Sequence, residues 1–303
     1  MELTLFSGTA NRPLGDAVAK ALGHTPGACH IEHFPDGEQH VEVQVDVRGR
    51  SVCLVQSTVP PVGEHLLELL LMADACWRAG AARLTAVLPY FGYARQDRRT
   101  RPGEALGGRL VADLLARGRF ERVVAVDLHT AALEGCFVMP LEHLSAMTMM
   151  ADALRPYAGE GAVVVSPDLG AVKLAERYAR ALKLPLAIVH KSRLSADEVS
   201  VRGLVGEVRG LRPIIVDDLI STGGTIAATA ECVLEAGCAP EVTVVATHAL
   251  LVGPAVERLA QVPIRRLLST DSVAPRHGLP FSHEVVHLAP LLADALRRLH
   301  LGG

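Results

Sequence analysis

Short runs of branched aliphatic residues alternate along the chain with longer stretches in which apolar residues recur every three to four positions. Leu84–Leu88, Val123–Val126, Ala162–Val165, Leu186–Val189, Ile214–Val216 and Val242–Ala246 are compact apolar runs, and they predict buried strands. His65–Arg78, Ala105–Arg117, Val172–Leu182 and Thr225–Ala236 carry the helical period. Each ends near a glycine or proline, for instance Gly80, Gly118 and Gly237. Strand–helix alternation of this kind predicts an α/β chain of mostly parallel sheets with helices on both faces. With 303 residues the pattern has room to occur twice. The Pro- and Gly-containing stretch Pro156–Gly161 precedes the strand at Ala162, so the expected domains are residues 1–145 and 146–303. A last helix, Ala289–Leu299, can pack back on the N-terminal domain.

Composition narrows the function. Half of the residues are apolar and only 4% aromatic, as expected when Ala, Val and Leu fill the space between helices and a parallel sheet. A net charge of −3 without a basic tract argues against nucleic acid or an anionic membrane as partner. The first residues, Met1–Phe6, carry neither a basic region nor a long apolar one, so no signal peptide is expected. The most apolar helical stretch, Leu66–Met72, contains Glu68, is followed by Asp74, and is too short to span a bilayer. Six cysteines are scattered without a CxxC pair and read as reduced core residues. A cytoplasmic protein is expected.

Candidate chemistry gathers where strands end. Val126 leads into Asp127-Leu128-His129, Val165 into Ser166-Pro167-Asp168, and Val216 into Asp217-Asp218. A single aspartate after a strand can be a helix cap. Three strand ends bearing carboxylates or imidazole on one rim suit a ligand site, because open parallel sheets bind outside the carboxyl ends of their strands. Ile214–Thr225 holds the densest signal: a strand, two acids, a hydroxyl- and glycine-rich turn, then a helix start. Ser221, Thr222, Gly223, Gly224 and Thr225 supply amides and hydroxyls for a phosphate at the positive end of a helix. Asp217 and Asp218 cannot bind phosphate directly, and suit ribose hydroxyls or a water-bridged Mg²⁺. Lys191 and Arg193 are either a solvated pair or cations aimed at a transferring phosphate. Arg95 suits a triphosphate and Gln96 an adenine edge. Phe34 is either an ordinary core aromatic or a stacking face for a purine.

Ile214–Thr225 resembles the loop that binds phosphoribosyl pyrophosphate (PRPP) in type I phosphoribosyltransferases and in PRPP synthetases. Pro89-Tyr90-Phe91-Gly92-Tyr93-Ala94-Arg95-Gln96-Asp97-Arg98 is similar to the synthetase block that contacts ATP. Val126–His129 and Ser166-Pro167-Asp168 look like its metal blocks, Phe34-Pro35-Asp36-Gly37-Glu38 its adenine loop, and Lys191-Ser192-Arg193, with Glu198-Val199 following, its catalytic loop. The blocks occur in the family's order, and the resemblance to the ribose-phosphate pyrophosphokinase family runs from about Leu5 to about Asp271.

The resemblance implies two phosphoribosyltransferase-like domains with the active site between them, and pyrophosphoryl transfer from ATP to ribose 5-phosphate. It implies Lys191 and Arg193 as catalytic and Phe34, Asp36, Gly37, Glu38, Arg95 and Gln96 as ATP contacts. Arg193, Asp217, Asp218 and Ser221–Thr225 are implied as the ribose 5-phosphate site, and His129 and Asp168 as ligands of Mg²⁺ or Mn²⁺. Self-association as a dimer or higher even oligomer is implied too, with the Phe34–Glu38 loop serving a neighbour's ATP site. Ser221 stands where many members carry Asp, and Gly107-Gly108 where the helix usually has more helix-favouring or polar residues. Both departures imply a change in the usual phosphate activation and ADP inhibition, and Ser221 weak or absent activation by phosphate. Two rivals remain: a PRPP-consuming phosphoribosyltransferase, which leaves Arg95, Gln96 and Phe34–Glu38 unexplained, and a catalytically silent regulator, which need not keep Lys191 and Arg193.

Overall fold

A computed structural model describes residues 2–193 and 199–300, with the side chains of residues 191–202 outside that description. It divides the chain into two units. One runs up to Ser145 and takes in Ser272–Ala274 and the segment from His287 on; the other holds Ala146–Asp271 and Pro275–Val286. Among the described residues no helix is long and apolar enough to cross a membrane.

The first unit begins with β1 (Leu3–Ser7) and α1 (Arg12–Leu22). Asn11 starts α1, its side-chain oxygen accepting from Leu14 N, and Gly23 ends it at φ 79°. A hairpin follows, β2 (Cys29–His33) and β3 (Gln39–Val43), and then β4 (Ser51–Val55), α2 (Val62–Arg78), β5 (Arg83–Leu88), α3 (Gly107–Arg117), β6 (Arg122–Val126) and β7 (Leu141–Leu144). The main sheet is parallel in the order β1-β4-β5-β6-β7. Every residue of β4 is buried, which its sequence Ser-Val-Cys-Leu-Val allows only if both faces are covered. The hairpin is half-solvated instead: His30, Glu32, His40 and Glu42 face out, while Ile31 and Val41 join the apolar core.

The second unit contains α4 (Met147–Leu154), β8 (Ala162–Ser166), α5 (Val172–Leu182), β9 (Leu186–Arg193), β10 (Val199–Val205), β11 (Arg212–Ile220), α6 (Gly224–Glu235), β12 (Val242–Ala249), α7 (Ala255–Ala260), β13 (Ile264–Thr270) and β14 (Ser282–Val286). Its sheet has the order β10-β9-β8-β11-β12-β13-β14, parallel except for β10 against β9. Ala175, Tyr178, Ala179 and Leu182 form the buried stripe of α5, at the spacing expected of one helix face. The last helix, α8 (Ala289–His300), belongs to the first unit and packs on α1, where Arg297 bonds Ala21 O.

Chain order makes the β8/β11 border special. The chain runs outward from β8 through β9 to β10, then returns to β11 and runs the opposite way to β14. Such a reversal point opens a crevice between neighbouring strands, the usual ligand position in open α/β sheets.

Candidate active site

The acid pair lies inside a strand rather than beyond its tip. The apolar run predicted a strand ending at Val216, whereas β11 continues to Ile220 because β12 offers partners as far as Ala249. On the other side β8 pairs only with Arg212–Ile215. From Val216 onward β11 therefore has one strand neighbour, and Asp217 and Asp218 sit beside the crevice this leaves. Asp168 follows β8 on the same border. Its Oδ1 accepts from Gly170 N at 2.8 Å and Ala171 N at 3.1 Å, holding the turn into α5. Asp217 Oδ1 accepts from Asp218 N at 2.9 Å. Burial, then Asp218, then Asp168, push the Asp217 carboxyl well above the usual carboxylate range.

The turn after β11 holds the residues expected to form the cradle. Gly223 has φ 75° and starts α6. Loop carbonyls are used to fix its shape: Ile220 O accepts from Leu250 N and Leu251 N, Ser221 O from Val252 N, and Thr222 O from Arg258 Nη1 at 3.3 Å. The first amides of a helix have no intrahelical partner and face outward, with the positive end of the helix behind them. Ser221, Gly224 and Thr225 are half-buried and Thr222 exposed around this point.

In the first unit the Tyr90–Gln96 segment folds onto the start of α3. Gln96 N donates to Tyr93 O at 2.9 Å, and Gly108 N donates to Gln96 O at 3.1 Å. Val62, Tyr90, Tyr93, Ala94, Arg95 and Gln96 line a cleft of about 520 Å³, a size suited to a small organic ligand. Thr130 Oγ1 donates to Asp97 Oδ2 at 2.7 Å, which ties this segment to the loop after β6. That loop carries His129, exposed at its tip. Leu128 N donates to His143 Nε2 at 2.9 Å, so that nitrogen is unprotonated and Nδ1 carries the proton toward Glu134 Oε1 at 2.8 Å. Asp97, Thr130 and His143 shape the site without having been singled out by the sequence. Asp97 lies within a quoted motif, while the pairing of His143 with Leu128 depends on β7 lying beside β6.

The Phe34–Glu38 segment is the tip of the β2–β3 hairpin. Phe34 N donates to Glu38 O at 2.8 Å, Gly37 N to Phe34 O at 2.9 Å, and Glu38 N to Asp36 Oδ1 at 3.1 Å. Phe34 is 44% exposed, with its ring centroid 5.5 Å from that of His40. It is not a core aromatic. Lys191 and Arg193 lie on the final residues of β9, opposite Val201 and Val199 of β10. Their side chains, and Glu198 altogether, lie outside the described residues.

A metal role is judged by the donors. Among the described residues no group of three or more His, Cys, Asp or Glu side chains is arranged to hold a metal by itself. Mg²⁺ needs less, because it keeps several waters and takes one or two carboxylates. Asp168, Asp217 and Asp218 are carboxylate donors of the kind that ion takes.

The glycine- and hydroxyl-rich turn at a helix start, the acid pair and the reversal point together define a protein of the phosphoribosyltransferase-like α/β class. Comparison with known proteins goes further. Residues 3–118 match the family described as the N-terminal domain of ribose phosphate pyrophosphokinase, and residues 140–271 match the phosphoribosyl transferase domain. A ribose-phosphate pyrophosphokinase of Rhodopirellula baltica is 44% identical, the match covering 99% of this chain and 96% of that protein. One from Caldanaerobacter subterraneus is 41% identical over 99% and 95% of the two chains. The crystal structure of phosphoribosylpyrophosphate synthetase from Mycobacterium smegmatis superposes with a TM-score of 0.93 at 40% identity, covering 100% of both chains. The chain belongs to the ribose-phosphate pyrophosphokinase family.

Proposed function

We infer that this chain transfers the pyrophosphoryl group of ATP to ribose 5-phosphate, giving PRPP and AMP. What carries the reading is that one chain, matched end to end by its relatives, holds both a sugar-phosphate cradle on β11–α6 and a separate cleft with Arg95 and Gln96. A phosphoribosyltransferase needs only the first of these.

In the proposed mechanism the 5-phosphate sits at Ser221–Thr225, where amides and the positive end of α6 face it. Asp217 and Asp218 accept bonds from the ribose hydroxyls. Arg95 holds the triphosphate and Gln96 the adenine edge, while Phe34, Asp36, Gly37 and Glu38 complete the base site. The anomeric oxygen attacks the β-phosphorus, the bond from that phosphorus to the α–β bridging oxygen breaks, and AMP leaves with the bridging oxygen. The hydroxyl proton is released as the new P–O bond forms. Lys191 and Arg193 offset the charge that develops on the transferred group. His129 would serve one Mg²⁺ position and Asp168, with Asp217 and Asp218 of the same unit, a second; Mg²⁺ when bound supplies Lewis-acid neutralisation of the phosphate oxygens.

The Phe34–Glu38 tip, turned outward and largely exposed, is proposed to serve the ATP site of a second copy in a two-fold dimer. ATP and ribose 5-phosphate are cytoplasmic metabolites, and the proposal places the enzyme with them. The deciding assay measures AMP released from ATP with and without ribose 5-phosphate. Release that depends on the sugar supports the synthetase. PRPP consumption without AMP release would mean a transferase, and neither activity would mean a silent regulator.

A further inference from the structure

Gly107 opens α3 at a position where glycine has no backbone justification. Its φ lies outside the left-handed region that favours glycine, and alanine is the better helix former. What excludes a side chain is the neighbouring segment. A Cβ at Gly107 would stand 2.5 Å from Gln96 Oε1, 2.9 Å from Gln96 Cδ and 2.9 Å from Tyr93 Cδ1. Both neighbours line the cleft described above. The backbone of Gln96 is held on both sides, its N–H by Tyr93 O and its carbonyl by Gly108 N. Tyr93 is constrained too, at φ 65°. With the main chain pinned, the part free to yield to a methyl group is the Gln96 amide.

We propose that Gly107 is a specificity-determining residue: its bare Cα provides the notch that seats the Gln96 amide and the Tyr93 ring, and so fixes how the cleft presents that amide to the base of ATP. This rests on the reading of Gln96 as the adenine contact. A glutamine amide carries an acceptor and two donors and can face a base edge either way round. Discrimination between purines therefore requires its orientation to be held. In the notch the oxygen end lies against Gly107, leaving the remainder of the amide for the ligand. Gly107 acts through Gln96 and Tyr93 and is a positioning residue.

The test compares wild type, Gly107→Ala, Gln96→Ala and the double variant by steady-state kinetics with ATP and with GTP, alongside thermal unfolding. Gly107→Ala is expected to raise KM for ATP about ten-fold, the worth of a misplaced hydrogen bond, and to narrow the preference for ATP over GTP by a similar factor. The value of kcat stays within about two-fold, because binding rather than transition-state charge is affected. The unfolding temperature is expected to hold or rise. In the Gln96→Ala background the same substitution has a much smaller effect on KM, since the amide it displaces is gone and only the Tyr93 ring remains beside it. An unchanged KM in Gly107→Ala, with a raised KM in Gln96→Ala, overturns the inference and leaves the adenine reading standing. An unchanged KM in Gln96→Ala overturns that reading and the inference with it. A KM defect that persists equally in both backgrounds, or a lowered unfolding temperature in both, would mean that Gly107 acts only in packing.

Discussion

Two adjacent glycines in the turn between β11 and α6 are expected to respond to the same substitution in opposite ways. Gly223 holds φ 75°, and a Cβ there would stand 3.2 Å from Ala255 O and 3.2 Å from Leu259 Cγ. For a non-glycine residue the left-handed region costs about 1–2 kcal/mol. The contact with a backbone oxygen cannot be relieved by a side-chain rotation and adds to that cost. Gly223→Ala is therefore expected to lose about 2 kcal/mol. Gly224 has no left-handed φ, and the nearest contact of a Cβ there is Arg258 Nη1 at 3.6 Å, an ordinary van der Waals distance. Gly224 is the first residue of α6, where alanine gains part of the roughly 1 kcal/mol helix preference over glycine. The split between the variants is thus about 2–3 kcal/mol, or roughly 6–10 °C in unfolding temperature for a unit of this size. Thermal and urea unfolding of both variants without ligand measures it. Equal midpoints, or a less stable Gly224→Ala, would refute the reasoning.

Lys191→Ala is expected to lower kcat about a thousand-fold with folding intact, as for other cations that stabilise phosphoryl transfer, and near-normal turnover in rapid assays would remove it from the mechanism. Asp168→Asn keeps the oxygen that accepts from Gly170 and Ala171, so it should fold normally and need more Mg²⁺ for half-maximal rate; an unchanged Mg²⁺ titration would leave Asp168 as a turn residue only. The raised Asp217 carboxyl means that the folded state binds the extra proton, so its contribution to stability is present below the ordinary carboxylate pKa and is lost as pH rises through the raised value. Asp217→Asn should flatten the fall of stability across that window in metal-free urea unfolding, and a slope equal to wild type would contradict the assignment. Co-refolding Glu38→Ala with Lys191→Ala should restore roughly a quarter of wild-type activity if ATP sites are shared within dimers, whereas a dead mixture with subunit exchange confirmed would show that the hairpin serves its own chain.

The sequence by itself determined the α/β class and the cores of the elements. Val172–Leu182 was legible to the residue, because an amphipathic helix writes its buried stripe into consecutive residues. The turn at Ser221–Thr225 leading into α6 was legible for the same reason: its glycines and hydroxyls form one continuous segment of the chain. Only the tertiary structure decided what depends on neighbours far away in sequence. Strand β11 runs on through Asp217 and Asp218 because β12 continues beside it, and the acids lie where β11 has no partner on its other side because β8 pairs only as far as Ile215. His143 supports the loop bearing His129 only because β7 lies beside β6, and Gly107 matters only because α3 meets Gln96 and Tyr93. Local patterns record which face of an element is buried; sheet order and close packing select the particular residues that meet it.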